Sequence, residues 1–224
     1  MNQPSKSAGQ SPTYSLRYLD DSRIEEVLQL YSLLQDAMGI ESVEDLRSFR
    51  RTVSPNADLF VLPRVVCAFR GDEIIGTVVG ITLKRSHAGF IAYAAVKEDS
   101  RRYGIYATMR RELLRRLAEE DGVRYVASEL DQQDWLFQKY VNQWNATVLC
   151  ERYEQPEAQG LQAKSLSLVA MPTINGITPD ADETAALIRE IYERIYGIAD
   201  VDTNKSFLRV VASLTTDEST GLTN

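Results

Sequence analysis

No stretch constrains this chain more than residues 96–117, VKEDSRRYGIYATMRRELLRRL. The run before it, 90–96 (FIAYAAV), is apolar and small and reads as a buried strand. It breaks into a short polar turn and re-emerges as a helix. In that helix Ile105, Met109, Leu113 and Leu117 recur every four residues with Leu114 beside them, while Arg110, Arg111, Arg115, Arg116 and Glu119 take the other side. Such spacing gives one buried and one solvated face on a 3.6-residue period. At the turn, RRYGIYA (101–107), the first helical N–H groups have no intrahelical acceptor. With the positive end of the helix dipole they form an anion site, and Gly104 lets a ligand approach the backbone. Seven basic and three acidic residues lie between 97 and 116 in a chain whose net charge is −7. The segment is therefore either a local cationic patch that would hold a polyanion or a plain solvated basic helix face.

At 224 residues the chain can build one sizeable domain with an appendage. Its acidic balance argues against a general nucleic-acid binder, which needs a large basic face. No apolar run reaches the roughly 18 residues needed to span a bilayer, and MNQPSKSAGQSPT lacks the apolar core of a signal peptide, so a cytoplasmic protein with no membrane partner is expected. Two cysteines, Cys67 and Cys150, and a single histidine, His87, supply neither a disulfide framework nor a His/Cys metal site, and no metal is expected. Both cysteines sit in apolar runs and read as buried, inert thiols.

Along the chain, residues 1–13 are polar and small and are expected to be disordered. A first strand at 14–19 precedes a helix from about 24 to 38 that stops at Gly39, and a shorter helix from 42–45 to 53. Two runs, 64–70 and 73–83, flank Gly71-Asp72 as a hairpin, and 90–96 follows as the next antiparallel strand. After the central helix, VRYVASEL (123–130) reads as a strand. A full helical crossover makes it the parallel neighbour of 90–96. A helix at 134–143 and strands at 146–153 and 164–171 complete a core domain spanning 14–177. Residues 178–224 add two amphipathic helices, 178–196 and about 204–214, with nine acidic and four basic residues. They are expected to dock on the core or on another subunit, making a homodimer one option, with the last ten residues frayed.

The spacing V-x-x-x-x-R-x-x-G-I-x-A, carried by Val96, Arg101, Gly104, Ile105 and Ala107, resembles the acetyl-CoA motif of the GNAT superfamily of N-acyltransferases, whose core is Q/R-x-x-G-x-G/A. Tyr106 stands where that core has Gly or Ala, and a tyrosine there must swing outward to leave room for a pyrophosphate. The element order over about 14–171 is also similar to the superfamily's α/β (α+β) fold. The resemblance implies a mixed sheet of about seven strands, split between the fourth and fifth, with helices on both faces. The family pattern N-x-x-A-x-x-L-Y-E-K-x-G-F survives in outline, with Gln133, Leu136, Lys139 and Tyr140 aligned and Trp144-Asn145 where Gly-Phe is usual; asparagine can take the left-handed conformation that glycine supplies. SELD, from Ser128, and YEQP, from Tyr153, look like a poorly characterised bacterial branch.

The resemblance implies an acetyl-CoA-dependent N-acetyltransferase acting on a primary amine of a small molecule or peptide by direct attack in a ternary complex. It assigns acetyl-CoA binding to Arg101, Arg102, Tyr103, Gly104, Ile105, Tyr106 and Ala107, with Gln133, and to strand-like pairing of the pantetheine along Val96. A backbone N–H within Ala94, Ala95 and Val96 would polarise the thioester carbonyl. Tyr140 aligns with the tyrosine that serves many relatives as general acid toward the thiolate, and a phenol can donate a proton at pH 7. Glu129 or Asp131 could accept the amine proton, and His87 is a further candidate; each also has a plain reading as a solvated or capping group. Tyr93 either lines the acceptor pocket or fills core. Two other activities stay open: a non-catalytic acyl-CoA-binding module, and transfer of a longer acyl chain.

Overall fold

The computed structural model describes residues 13–19, 21–54, 61–158, 161–174, 176 and 178–217. Expectations for residues 1–12 and for the extreme C-terminus lie outside them. Seven strands, β1 (Ser15–Tyr18), β2 (Val61–Arg70), β3 (Glu73–Leu83), β4 (Ala88–Val96), β5 (Tyr125–Leu130), β6 (Thr147–Gln155) and β7 (Lys164–Pro172), form one sheet in the order β1-β2-β3-β4-β5-β7-β6. All pairs are antiparallel except β4 with β5. That parallel pair is joined by α3 (Ile105–Asp121), the crossover that the residue pattern requires.

Helix α3 lies on one face with α4 (Trp135–Gln143), and its stripe of Ile105, Met109, Leu113 and Leu117 is fully buried. Glycines on the strands beneath make that approach possible. A Cβ at Gly80 would stand 2.7 Å from Leu113, and one at Gly89 2.9 Å from Leu117. The opposite face is shared. Helices α1 (Ile24–Met38) and α2 (Leu46–Val53, capped by Asp45) cover β2–β4 through Leu30, Leu34 and Phe49. Helices α5 (Ala181–Glu190) and α6 (Lys205–Asp217) cover β5–β7 through Leu187, Ile188, Ile191, Tyr192 and Phe207. An Asp180–Glu183 capping box starts α5, and a π-helical turn, Ile191–Ile195, ends it before Gly197. Both cysteines are buried, and burial pushes the Cys67 thiol up to about 12. No helix among the described residues is long and apolar enough to cross a membrane.

The sheet splits where β4 bends. Its pairing with β5 runs only from Ala88↔Tyr125 to Ile91↔Ser128, and the register with β3 slips at the next residue, so Ala92 is a bulge. A bulged strand twists and leaves its neighbour. Beyond Ile91, β4 follows β3 while β5 follows β7, and a V-shaped gap opens at the C-terminal ends of the two parallel strands.

Candidate active site

Three structures converge on that gap. The first is the turn between β4 and α3. Gly104 caps α3 in the left-handed region (φ 76°), Arg102 is left-handed as well (φ 73°), and the first amide to close on the helix is that of Thr108, bonded to the Gly104 carbonyl at 3.0 Å. The six consecutive amides of residues 102–107 have no hydrogen-bond partner among the described residues. A row of free N–H groups at a helix start is a ready anion cradle. A Cβ on Gly104 would meet nothing within 4 Å, so the glycine is there for its backbone angle and for open access.

Charge around the turn is more local than the count of basic residues suggests. Lys97 is tied to Glu73, Arg115 to Glu112 and Glu119, and Arg116 to Glu120. Arg110, expected on the wet face, turns inward: its guanidinium lies 3.8 Å from the Trp144 ring centre and donates to the Met171 sulfur. Arg101, Arg102 and Arg111 have no ion pair among the described residues. The Nε of Arg101 donates to the Val96 carbonyl at 3.1 Å, folding the turn over the end of β4.

The second structure is the exposed edge of β4. Lys97 donates to Ile75 on β3, and alternation then turns both backbone groups of Ala95 toward β3 and those of Ala94 and Val96 into the gap. Of the three residues expected to offer an oxyanion donor, Ala95 cannot; Ala94 and Val96 can.

Consecutive residues of β5 point to opposite faces, and this builds the third. Ser128 faces α4, where the Tyr140 hydroxyl lies beside it, shared in a 2.6 Å hydrogen bond with Tyr106. Tyr106 therefore does not swing outward. It turns inward against Trp144 and Tyr140 and leaves the amide cradle open. Burial raises the Tyr140 phenol above its ordinary value, opposed by the bond from Tyr106, by Ser128 and by Arg110. Asn145, left-handed at φ 58°, closes α4 in the conformation that glycine would supply, with the Trp144 and Ala146 amides both on the Tyr140 carbonyl.

Glu129, one residue on, faces the other way into a cavity of about 190 Å³ between the two helical pairs. Its walls include Glu44, Tyr93, Gln155, Lys164 and Tyr196, with Ile91 and Ala92 of the split itself. The Tyr196 hydroxyl donates to Glu129 Oε2 at 2.5 Å, while Oε1 is buried without a hydrogen-bond partner. Although the residue as a whole is only half-buried, Oε1 touches no solvent. Loss of hydration raises the carboxyl to about 7, against the opposing effect of Tyr153 and Tyr196. The Tyr153 hydroxyl is itself buried with no hydrogen bond of good geometry. Glu44, also buried, is raised by desolvation and accepts from Thr52 at 2.6 Å. Neither carboxylate has a cation among the groups that shift it, and the Lys164 ammonium is held by Ser42 at the rim.

The other sequence candidates fall elsewhere. Asp131 and Gln133 are exposed in the β5–α4 turn, where the Asp131 carboxylate accepts from the Gln133 amide at 2.9 Å. His87 is exposed in the β3–β4 turn, at the opposite end of the parallel strands from the gap. Tyr93 is both core and pocket wall. Sequence reasoning missed Glu44, which reads as part of a helix start, and Tyr196, which reads as the last residue of a helix before a glycine stop.

A split mixed sheet with free amides at a crossover-helix start and a cavity across the gap defines the fold, and comparisons with solved structures show the same fold elsewhere. The fold is similar to a putative acetyltransferase of the GNAT family from Bacteroides thetaiotaomicron (TM-score 0.60, 14% identity, covering 82% of this chain and 99% of that one). It is similar to the diaminobutyrate acetyltransferase of Paenibacillus lautus (0.56, 16%, 75% and 99%) and to the ribosomal-protein-S18-alanine N-acetyltransferase of Escherichia coli (0.54, 14%, 75% and 97%). No curated protein matches the chain in sequence. Residues 27–136 match the Acetyltransferase (GNAT) family. Over residues 27–136 the chain carries a GNAT acetyltransferase domain, which supports a transferase of the acyltransferase class.

Proposed function

We propose that this protein moves an acetyl group from acetyl-CoA to a primary amine of a small molecule or peptide, by direct attack in a ternary complex. The observation that carries the reading is the placement of Tyr140 and Glu129 on opposite faces of one split, beside adjacent residues of β5. The residues present fit the cosubstrate. The amides of residues 102–107 would take the pyrophosphate, Ala94 and Val96 would pair with the pantetheine, and one of their N–H groups would meet the thioester oxygen as charge develops there. In support, the diaminobutyrate acetyltransferase was solved with coenzyme A and L-2,4-diaminobutyric acid.

The amine reaches the split from the cavity side. Two buried carboxylates with no cation beside either favour a cationic acceptor over a neutral alcohol. Glu129 accepts the proton that the ammonium must lose, its raised affinity for protons suiting a base that works near neutrality. The amine nitrogen then bonds to the acyl carbon, the carbon–sulfur bond breaks, Tyr140 gives its phenolic proton to the departing thiolate, and the second proton that the acylated nitrogen sheds returns through solvent to Tyr140. Attack requires Glu129 ionised, so turnover rises with pH through about 7.

Thermal unfolding with and without acetyl-CoA tests the cosubstrate, because a ligand that binds the native state raises its stability. The wild type is expected to shift and Gly104→Asp, which puts a carboxylate on the anion cradle, is not. Thiol release in an amine panel then tests transfer. A folded wild type that shows neither shift nor release refutes the proposal.

A further inference from the structure

The family match ends at residue 136, and the residue that holds Glu129 comes from the chain beyond it. We infer that the C-terminal helical extension is a working part of the active site, in which Tyr196 is the positioning residue for Glu129. This inference rests on the reading of Glu129 as the base.

The geometry is specific. Tyr196 and Glu129 line the same cavity, and the phenol donates to Oε2 alone. Held by that oxygen, the carboxylate keeps Oε1 buried with no hydrogen bond of good geometry, and the Tyr153 hydroxyl is the other group that favours its ionised form. A base needs its carboxylate restrained in one orientation. The extension in turn is bolted to the sheet. The Glu190 carboxylate accepts from the Ser86 amide at 2.8 Å, the Ser86 hydroxyl at 2.6 Å and the Arg85 amide at 3.2 Å. Glu193 pairs with Arg85, and Tyr192 donates to the Glu154 carbonyl. Between Glu190 and Tyr196 the helix widens into the π turn, which carries Tyr192 and Glu193 and is closed by the Tyr196 amide on the Ile191 carbonyl at 3.2 Å. A widened turn changes the direction in which the next side chain leaves the helix, and such turns recur at functional sites. Packing alone would be served by phenylalanine at 196: the ring stacks edge-on against Tyr192, and only the hydroxyl reaches the carboxylate.

The titratable groups coupled to Glu129 are tyrosines: Tyr93 on β4, Tyr153 on β6, and Tyr192 and Tyr196 in the extension. Glu44 and Lys164 stand elsewhere on the cavity wall. All four phenols are raised and neutral near pH 7. The Tyr196 hydrogen bond is thus a support that stabilises the ionised carboxylate without adding charge, and its loss must raise the proton affinity of Glu129.

The decisive variant is Tyr196→Phe, with Tyr192→Phe as the control, because the Tyr192 hydroxyl serves a backbone carbonyl instead. Two readouts are needed. The first is the Glu129 carboxyl resonance in protein labelled with ¹³C-carboxyl glutamate, assigned by its loss in Glu129→Gln and titrated without any substrate. Its midpoint is expected to rise by about one pH unit in Tyr196→Phe and to stay put in Tyr192→Phe. The second is kcat/KM against pH, whose acidic limb is expected to move by the same amount, with activity recovering to within about twofold of wild type well above the new midpoint. An unmoved resonance in Tyr196→Phe overturns the inference whether or not the protein turns over. A loss of kcat/KM that is uniform in pH also overturns it, since that marks a structural role. A moved resonance in a protein that transfers no acetyl group upholds the Tyr196–Glu129 coupling and instead refutes the assigned reaction.

Discussion

Replacing Glu129 with glutamine should make the protein's stability less dependent on pH, and the size of the change follows from the site. The native carboxyl is raised from 4.5 to about 7, chiefly because the cavity strips it of water. The native state therefore binds this proton more tightly than the unfolded chain does. Stability from that source is fully present below the unfolded value of 4.5 and is lost as pH rises through about 7. A shift of that size corresponds to about 3 kcal/mol in full, of which about 2.5 kcal/mol is lost between about pH 5 and about pH 8.5. Glutamine keeps the side-chain volume and an acceptor for the Tyr196 hydroxyl but carries no titrating group. Urea unfolding of both proteins across that range measures the difference directly. The gap between them should move by about 2.5 kcal/mol in favour of Glu129→Gln as the solution becomes alkaline. A gap constant with pH would show that the carboxylate is solvated, and the assignment of Glu129 as a base tuned by burial would fall with it.

Two further substitutions test other parts of the structure. Glu44→Gln removes the second buried carboxylate of the cavity without touching the split, so it should raise KM for the amine about tenfold or more and leave kcat within about twofold, as for a charge-assisted contact made equally in ground and transition states. Initial-rate kinetics over an amine series would decide, and a fall in kcat at constant KM would contradict the assignment. Gly80→Ala places a methyl group 2.7 Å from Leu113 beneath α3 and should cost roughly 1–3 kcal/mol, seen as a lower urea midpoint at unchanged slope. An unchanged midpoint would mean that α3 is free to lift from the sheet.

Much of this molecule is legible in local pattern. Four-residue recurrence of Ile105, Met109, Leu113 and Leu117 determines a buried helix face, Gly71-Asp72 a hairpin, and a helix between two apolar runs a parallel pair; all three are properties of neighbours in the chain. The anion cradle is equally local, since a helix start frees its own amides and Gly104 permits the left-handed entry. What local pattern cannot reach is direction and meeting. Whether Tyr106 swings out or in depends on Tyr140 and Trp144, which come from another helix. Whether Arg110 is wet depends on Trp144 and Met171. The alternation of β5 sends Ser128 and Glu129 to opposite faces, but only the bulge at Ala92, seen against β3, opens a gap between those faces. The cavity exists because α1 and α2 stop short of α5 and α6 over that gap, bringing Glu44 and Tyr196 onto one wall although 152 positions of chain separate them. Tertiary structure decided those contacts because burial, which tunes a carboxylate and selects a rotamer, is supplied by residues remote in sequence.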